Sequence, residues 1–570
     1  MIRLFEQHRV RKQKELEGIW HFVKEDGKEY ELPVPGCWEQ HSDLIHYRGK
    51  GCFYRTIYLQ EKCNIRLEFK GISHTADVYL DDSFVVHHYN AFTAFSGIVK
   101  NVEAGEHVIR VYVDNTFGEH SALHTPNDYY TYGGITRPVV LEEIQNVYVK
   151  KVHFLPWQAD GKWIGKTEIV VENLGDAEAR VEVSAELAEE YFRDTVLLQA
   201  GEVKTLIWEQ EFANVEAWDM ENPKLYMLQV KLSDVIETSN ENFAENSSKK
   251  SIQVIDDYIE RVGFRQVTLD DTRLMLNGRP VYLKGFNRHE DYGVIGCAIP
   301  LQAMVQDMDL MQEAGSNAVR TCHYPNDERF LDLCDERGML VWEENHARGF
   351  GLERMQNPNF EKQCEDCIDE MIELHYNHPS IVIWGILNEC ASETIEGREM
   401  YRKQYEQIKR LDRSRPTTSA TCRHFTDICL DLPDIVSFNI YSGWYQDADV
   451  KERHEQEMEW ICNAGGAGKP VIVSEFGAAA MYGYRDRGRC KWSEERQADV
   501  IKENLMVYRE DERLTGVFIW QFADCRVTEE EWFSSRVRCH NNKGVVDEYR
   551  RPKEAFEVVK ELFPTMTVKE

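Results

Sequence analysis

The chain has 570 residues, a formal net charge of −32 and an estimated isoelectric point near 5.1. This length exceeds what one hydrophobic core supports and predicts three or four structural units. The negative charge argues against nucleic acid or an anionic membrane as a partner, because no large cationic surface is available to displace counterions.

Two features predict a cytoplasmic protein. Residues 1–9 turn polar too early for the apolar core of a secretory signal, and no apolar run approaches the roughly 20 residues that a membrane helix needs. The 15 cysteines are scattered without paired spacing, which is typical of reduced thiols. We therefore expect neither a membrane segment nor a disulfide framework.

The first half of the chain is predicted to be rich in β-strands. In residues 1–146, short alternating segments such as 52–58 and 107–113 are broken by Gly, Asn and Asp, which predicts a jelly-roll sandwich. Residues 147–256 form a second β-rich stretch that fits an immunoglobulin-like sandwich. Within it, the polar tract 237–250 has little to bury and predicts an exposed hairpin loop.

Residues 257–570 show a different pattern, in which short apolar strands alternate with amphipathic helices. This alternation predicts a (β/α)₈ barrel. The helix predicted over 330–337 ends at Gly338, a residue that commonly terminates helices. The eight predicted strands are 281–285, 318–321, 339–342, 381–387, 418–421, 435–438, 471–473 and 516–519.

Glutamates follow several of these strands, with Glu290 after the first and Glu343 and Glu344 after the third, and two of the other strand ends form the catalytic candidates. Asn388 and Glu389 follow the fourth strand, and Glu475 follows the seventh. In such barrels the carboxyl ends of the strands carry the chemistry. Retaining glycosidases need two carboxylates roughly 5–5.5 Å apart, which opposed strand ends can supply. Each glutamate alone could equally be a capping or ion-pairing residue, but the pair favours glycoside hydrolysis.

Other strand ends carry histidine, aromatic and amide side chains. His289 follows the first strand, His323 the second, Asn439 and Tyr441 the sixth, and Trp520 ends the eighth. No His-x-x-x-His or clustered-carboxylate pattern requires a metal ion. We expect acid–base chemistry with neither a metal nor another cofactor.

Two signatures make the chain resemble glycoside hydrolase family 2. One is formed by residues 317–325 and 335–342, and the other by residues 378–389. Because that family joins a jelly roll, an immunoglobulin-like sandwich and a (β/α)₈ barrel in this order, the resemblance covers nearly the whole chain. It also implies a homo-oligomer, either a tetramer or a dimer.

The resemblance implies roles for the residues at the strand ends. Glu389 corresponds to the acid/base and Glu475 to the nucleophile of a retaining mechanism. Asn388 would bind the sugar 2-hydroxyl, and Tyr441 would steady the nucleophile. His289, His323 and Trp520 would line the sugar subsite, with a cis peptide bond after Trp520.

Two motifs suggest a uronic acid as the sugar. Asn541 and Lys543 resemble the Asn-x-Lys element with which the family's β-glucuronidases hold the sugar carboxylate. An ammonium and an amide can bind a carboxylate by charge-assisted hydrogen bonds. The segment that contains Asn439, Tyr441 and Tyr445 resembles a second element of those enzymes. Alternatively, Asn541 and Lys543 could lie in a surface turn, and the aromatic residues of the second segment could belong to the hydrophobic core.

Three further positions concern recognition of the sugar. Asp128 matches a jelly-roll loop that reaches the barrel mouth in those relatives, although it could be a simple turn residue. Either Arg536 or Arg538 could reach the sugar carboxylate, because the spacing to Asn541 is one residue longer than usual. Arg348 replaces a more usual small residue. We expect it to be a second partner for the carboxylate and to widen tolerance to the galacto epimer.

The loop after the third strand is short, because it begins at residue 350 and a helix is predicted near 360. We expect an open pocket that accepts bulky or oligosaccharide aglycones. The implied activity is that of a retaining exo-β-D-glucuronidase. The alternatives are a β-D-galacturonidase or a dual enzyme, a β-galactosidase, and a carbohydrate-binding protein that does not cleave its ligand.

Overall fold

A computed structural model describes residues 2–237 and 250–568. The loop predicted over 237–250 falls mainly on residues 238–249, which lie outside the described residues. Within the two described ranges, no helix is both long enough and apolar enough to cross a membrane.

The N-terminal part of the chain is a sandwich of antiparallel sheets. Its strands are β1 (Lys12–Glu15), β2 (Gly18–Lys24), β3 (Glu29–Val34), β4 (Lys50–Leu59), β5 (Cys63–Phe69), β6 (Ile72–Ser73), β7 (Thr75–Leu80), β8 (Ser83–Tyr89), β9 (Phe95–Val102), β10 (Gly105–Asp114), β11 (Gly134–Ile135) and β12 (Val139–Ile144). One sheet has the order β1-β12-β5-β9 and the other β3-β2-β4-β10-β7-β8. Alternate side chains of a strand such as β7 are buried between the sheets, as a sandwich requires.

The next part is a second, smaller sandwich. Its strands are β13 (Val147–Ala159), β14 (Lys162–Asn173), β15 (Ala179–Leu187), β16 (Glu190–Leu198), β17 (Val203–Phe212), β18 (Tyr226–Glu237) and β19 (Lys250–Val262). They form the sheets β13-β14-β17 and β16-β15-β18-β19. Strand β19 continues to Val262 and therefore crosses the boundary expected between residues 256 and 257. The division of the chain into three domains stays a prediction.

The remaining strands build a small antiparallel sheet, the barrel and a short pair of strands beside it. They are β20 (Val267–Asp270), β21 (Arg273–Leu276), β22 (Arg279–Val281), β23 (Leu283–Asn287), β24 (Ala318–Thr321), β25 (Leu340–Glu344), β26 (Ile381–Gly385), β27 (Thr417–Thr418), β28 (Ala420–Thr421), β29 (Val436–Asn439), β30 (Val471–Phe476), β31 (Leu514–Ile519), β32 (Cys525–Arg526) and β33 (His540–Asn541). The parallel sheet has the order β27-β26-β25-β24-β23-β31-β30-β29-β28. Because β27 and β28 are two halves of one strand interrupted at Ser419, the sheet is a ring of eight strands, which confirms the predicted barrel.

Helices alternate with the barrel strands. They are α1 (Leu301–Glu313), α2 (Glu328–Arg337), α3 (Leu352–Met355), α4 (Phe360–His375), α5 (Ile395–Leu411), α6 (Val450–Ile461), α7 (Glu494–Tyr508) and α8 (Glu554–Leu562). In α2, the Asp327 side chain accepts a hydrogen bond from the backbone N–H of Arg329. Gly338 ends that helix at φ +67°, a left-handed conformation that glycine adopts without steric cost.

The N-terminal sandwich packs against the carboxyl end of the barrel. Phe92 stacks on Tyr324 with ring centroids 3.8 Å apart. Nearby, Arg137 donates to Glu290 at 2.6 Å, and both side chains are buried. Tyr129, in the loop that follows β10, forms a hydrogen bond with His346 Nε2 at 2.8 Å. This loop therefore lies at the barrel mouth, where the predicted catalytic residues emerge.

Candidate active site

The predicted acid/base, Glu389, lies in a tight turn beyond the end of β26. Its backbone is left-handed, with φ +55°, and its N–H donates to the carbonyl of Ala420 at 2.8 Å. The carboxylate accepts a hydrogen bond from Asn439 Nδ2 at 2.9 Å. The side chain keeps 16 % of its surface exposed. It can therefore exchange a proton with a ligand in the adjoining pocket.

The predicted nucleophile, Glu475, is buried near the end of β30. Tyr441 donates its hydroxyl to one carboxylate oxygen at 2.7 Å, and Arg320 Nη1 donates to the other at 3.1 Å. Burial, followed by the negative charge of Glu389, raises the pKa of Glu475 to about 7, whereas Arg320 and Tyr441 act to lower it. The two glutamates are thus electrostatically coupled.

Arg320 is the central cation of the site, and the sequence analysis did not select it. This fully buried side chain donates to both oxygens of Glu344, at 2.9 and 2.8 Å, besides its contact with Glu475. It also donates to the side-chain oxygens of Asn287 and Asn388. The available signal was a lone arginine inside a strand predicted to be buried, since a cation is retained there only with charged partners.

The amide of Asn388 is oriented so that its nitrogen remains available. Its Oδ1 accepts hydrogen bonds from Arg320 at 2.9 Å and from Asn439 at 3.3 Å. Its Nδ2 is buried and has no partner among the described residues. A buried donor without a partner is costly. A ligand hydroxyl at this position would remove that cost.

His323, His289 and Trp520 pack against one another beside Glu475, which lies 3.9 Å from His323 Nε2. The His323 ring stacks on Trp520 with centroids 5.1 Å apart, and His289 meets the same indole edge-on at 5.4 Å. Burial lowers the pKa of both histidines, to about 3 for His289, so both are neutral at pH 7. The peptide bond between Trp520 and Gln521 is cis, as expected.

Two groups of described residues bring potential metal ligands within 4.8 Å of one another. One consists of His289, Cys322 and His323, and the other of Asp332, Asp335 and His378. In the first group, burial raises the pKa of the Cys322 thiol well above its usual value, which disfavours the thiolate that binds metals. The second group is occupied by internal contacts, because Asp335 accepts from His378 and Asp332 from Arg3.

The predicted carboxylate-binding lysine is enclosed by aromatic rings. Lys543 is 2 % exposed and donates from Nζ to the hydroxyl of Tyr445 at 2.7 Å. It also lies over the rings of Tyr441 and Tyr445. Burial and then the charge of Arg536 lower its pKa. Among the described residues, no carboxylate oxygen lies within 4.0 Å of the ammonium. An anionic ligand would stabilise the charged ammonium against its burial and against the charge of Arg536.

Asp128 comes from the N-terminal sandwich and joins this cluster. Its carboxylate accepts two hydrogen bonds from Arg536, at 2.9 and 2.5 Å, and one from Asn541 Nδ2 at 3.0 Å. Arg536 also donates to the hydroxyl of Tyr445 at 3.3 Å. Both oxygens of Asp128 are therefore engaged with protein groups, and the residue anchors Arg536 and Asn541 beside Lys543.

The two arginines that the sequence could not separate lie in different surroundings. Arg536 is part of the cluster around Lys543. Arg538 has a side chain that is 65 % exposed and donates to Glu548 at 3.1 Å. Arg536, and not Arg538, is therefore the arginine that lies beside Lys543.

Arg348 lies beside the predicted acid/base. Its Nη2 is 3.6 Å from Glu389, and its Nη1 donates to Asn127 Oδ1 at 3.1 Å. Although burial opposes this, the charges of Glu389, Asp128 and Glu475 raise its pKa above the usual value. Its buried Nε has no partner among the described residues. Arg348 therefore lies next to Glu389 and feels the charges of Asp128 and Glu475.

A cavity of about 350 Å³ opens next to Glu389. The short helix α3 occupies the loop after the third barrel strand, and α4 begins at Phe360, as expected. The lining residues are Pro126, Asn127, Arg348, Gly349, Arg354, Glu389, Cys422, Arg423, Glu531, Trp532 and Phe533. The aromatic residues of this cavity were not foreseen, because an isolated Trp-Phe pair in a loop carries no periodic signal.

Comparisons with known proteins agree with this geometry. Residues 267–568 match the family profile described as "Glycosyl hydrolases family 2, TIM barrel domain". Two solved structures of a family 2 β-galacturonidase from Eisenbergiella tayi, one bound to glycerol and one to galacturonate, share 47 % and 48 % identity with this chain. Each covers 99 % of this chain and 98 % or 99 % of its own, with a TM-score of 0.92.

Glucuronidases are similar at lower identity. A β-D-glucuronidase from Dictyoglomus thermophilum has a TM-score of 0.83 at 26 % identity, over 99 % of this chain and 98 % of that one. The β-glucuronidase of Streptococcus agalactiae is 27 % identical over 88 % of this chain and 85 % of its own. The family profile covers the barrel, and the similar solved structures cover nearly the whole chain. The chain therefore belongs to glycoside hydrolase family 2 and is a glycoside hydrolase.

Proposed function

We propose that this enzyme is a retaining exo-β-D-uronidase that hydrolyses β-D-glucuronides to glucuronic acid and an aglycone. The observation that carries the proposal is the buried ammonium of Lys543, which lies over the ring of Tyr441, the donor to Glu475, but has no described carboxylate partner. A uronic acid supplies the missing negative charge. A neutral hexose would leave the ammonium buried without it.

The two glutamates divide the chemistry. In the first step Glu389 gives its proton to the glycosidic oxygen while Glu475 attacks the anomeric carbon, so the aglycone leaves as an alcohol and a glycosyl ester forms. In the second step Glu389 removes a proton from water, whose oxygen displaces Glu475 from the same carbon. The anomeric configuration is retained because two inversions occur.

The hydrogen bonds to Glu475 favour the ionised form that the nucleophile needs. The groups that contact Glu475, Arg320 and Tyr441, both donate to it. Burial and the charge of Glu475 raise the pKa of Tyr441 well above its usual value, so its hydroxyl stays protonated. The charge of Glu389 is one cause of the raised pKa of Glu475. Once Glu389 holds the proton, that cause disappears and Glu475 ionises more readily.

β-D-Galacturonides are a second candidate substrate. The β-galacturonidase of Eisenbergiella tayi is 47–48 % identical to this chain, whereas the two glucuronidases compared above are 26 % and 27 % identical. Arg348 adds a cation close to Glu389, Asp128 and Glu475. Galacturonides differ from glucuronides only in the orientation of the 4-hydroxyl. The guanidinium of Arg348 is the group that we propose accommodates the axial form.

The test of the activity is a panel of 4-nitrophenyl β-glucuronide, β-galacturonide and β-galactoside with one enzyme preparation. We expect turnover of at least one uronide with a kcat/KM far above that of the galactoside. Glu475→Ala should abolish turnover, while Glu353→Gln, an exposed glutamate on α3, serves as the matched control. Preferential turnover of the neutral galactoside would overturn the proposal.

Arg348→Ala tests the second candidate. We expect the ratio of galacturonide to glucuronide kcat/KM to fall, because the variant removes a cation that acts on only one epimer. A ratio identical to that of the wild type would eliminate Arg348 as the residue that selects the epimer. Lys502→Met, which removes an exposed cation on α7, controls for the change in net charge.

We further propose a homo-oligomer, tetramer or dimer, in the cytoplasm. Support for the location comes from the 15 cysteines, all free thiols in the structure. Light scattering coupled to size-exclusion chromatography measures the assembly directly. A monomer at micromolar concentration would contradict the oligomer.

A further inference from the structure

An exposed tryptophan stands at the edge of the cavity beside Glu389. Trp532 lies in a short 3₁₀ turn, Glu531–Ser535, and is 55 % exposed. Its ring packs on Phe533, with centroids 4.2 Å apart, and the Arg536 guanidinium lies 5.2 Å from its centroid. Phe533 itself is buried. The indole is thus supported by neighbouring groups while much of its surface remains open.

The position of this cavity relative to the two glutamates identifies its side of the scissile bond. Glu389, which donates the proton to the leaving oxygen, lines the cavity together with Trp532. Lys543 and Glu475 do not line it. A ligand group in this cavity therefore contacts the acid/base without contacting Lys543 or the nucleophile, which is the position expected of a leaving group. Arg348, which also lines the cavity and lies 3.6 Å from Glu389, could contact both the sugar and the leaving group.

The other residues that line the cavity with Trp532 include several polar side chains that can form hydrogen bonds. Arg354 forms an ion pair with Glu531 at 2.8 Å, and Arg423 lies 3.2 Å from Glu393. Asn127 lines the same cavity. An exposed indole face with hydrogen-bond donors and acceptors beside it is complementary to a pyranose, which has apolar C–H faces and hydroxyl groups at its edge. A flat aryl group would use the indole face but leave the polar groups without partners.

We propose that this cavity is a leaving-group subsite for a pyranose residue, with Trp532 as the stacking platform, and that the natural substrates are uronide-capped oligosaccharides. The inference rests on the proposed uronidase activity and specifies its aglycone. A volume of about 350 Å³ falls within the range of roughly 300–1,000 Å³ typical of ligand pockets. Arg354, Glu531 and Arg423 are the groups that would bind its hydroxyls.

The experiment compares three substrates that share the uronyl group. They are the β-uronyl fluoride, which has no aglycone, the 4-nitrophenyl β-uronide, and a disaccharide in which the uronic acid is β-linked to a hexose. For Trp532→Ala we expect the ratio of disaccharide to fluoride kcat/KM to fall about tenfold, which converts to about 1.4 kcal/mol. Trp532→Phe, which retains a ring, should recover most of that loss.

Two outcomes would overturn the inference while leaving the uronidase intact. If Trp532→Ala lowers kcat/KM equally for the fluoride and the disaccharide, the tryptophan merely supports Arg536. If the loss is confined to the aryl uronide, the indole face binds aromatic aglycones instead of sugars. Tyr191→Ala, an exposed aromatic of the second sandwich, is the matched control. Failure of the wild type on all three uronides would instead refute the proposed function.

Discussion

Replacing Lys543 with methionine tests the origin of the preference for uronic acids. Methionine keeps an unbranched apolar stem between Tyr441 and Tyr445 but removes the charge. Since Lys543 is 2 % exposed, its pair with the substrate carboxylate would be formed away from water. Truncating one member of such a pair costs about 2–5 kcal/mol. Arg536 cannot compensate fully, because Asp128 already occupies it with two hydrogen bonds.

We therefore expect the lower part of that range, about 2–3 kcal/mol, or a loss of about 30- to 150-fold in kcat/KM for the uronide. The 4-nitrophenyl β-galactoside should change by less than about threefold, because it offers the ammonium no counter-charge. Where the galactoside is turned over too slowly, competitive inhibition by free glucuronate and by glucose supplies the same comparison. Lys502→Met is the control for a lost surface charge.

Equal losses on the uronide and the galactoside would refute the reasoning, because they would mean that Lys543 holds the pocket in shape and does not select an anion. A uronide loss below about threefold would refute it as well, since a desolvated ion pair cannot be removed at so small a cost. Measuring the free energy of unfolding of the variant separates a folding defect from a binding defect.

Two further predictions concern the groups that hold the nucleophile. Because Glu475 must be ionised to attack and its pKa is raised to about 7, kcat/KM should fall as the pH decreases through that value. Tyr441→Phe removes a hydrogen-bond donor that lowers this pKa, so the acid limb of the pH profile should move to higher pH. A pH profile unchanged by the substitution would contradict this. Arg320→Met leaves Glu344 and Glu475 buried without their shared cation, so the free energy of unfolding measured in urea should fall by about 3–5 kcal/mol at pH 8. Adding Glu344→Gln to that variant should restore part of the loss, and strict additivity of the two substitutions would argue against a shared network.

The strand ends of the barrel could be predicted because burial leaves a strong pattern in the sequence. A strand covered on both faces must be almost wholly apolar, so Glu389, beyond β26, and Glu475, near the end of β30, stand out. Strand five was the least regular, and the structure interrupts it at Ser419 between β27 and β28. Local apolar patterning therefore predicted the architecture, and the catalytic roles of the two glutamates stay a prediction.

Contacts between distant parts of the chain could not be predicted from such patterns. Nothing local in the sequence links Asp128 to Arg536, and this contact is what distinguishes Arg536 from the exposed Arg538. Arg320 was overlooked for a similar reason, because its importance depends on Glu344 and Asn388 from neighbouring strands. Pairing partners are a property of the fold and not of the segment.

The hydrogen bonds between Asp128 and Arg536 join positions that are 408 residues apart. Under the proposed function, recognition of the substrate's charge is therefore shared between the N-terminal sandwich and the barrel. Recombination that exchanged either part alone would bring together an arginine and a loop that had not evolved with each other. A barrel transferred without its sandwich would keep both cations and lose the anion that orients them.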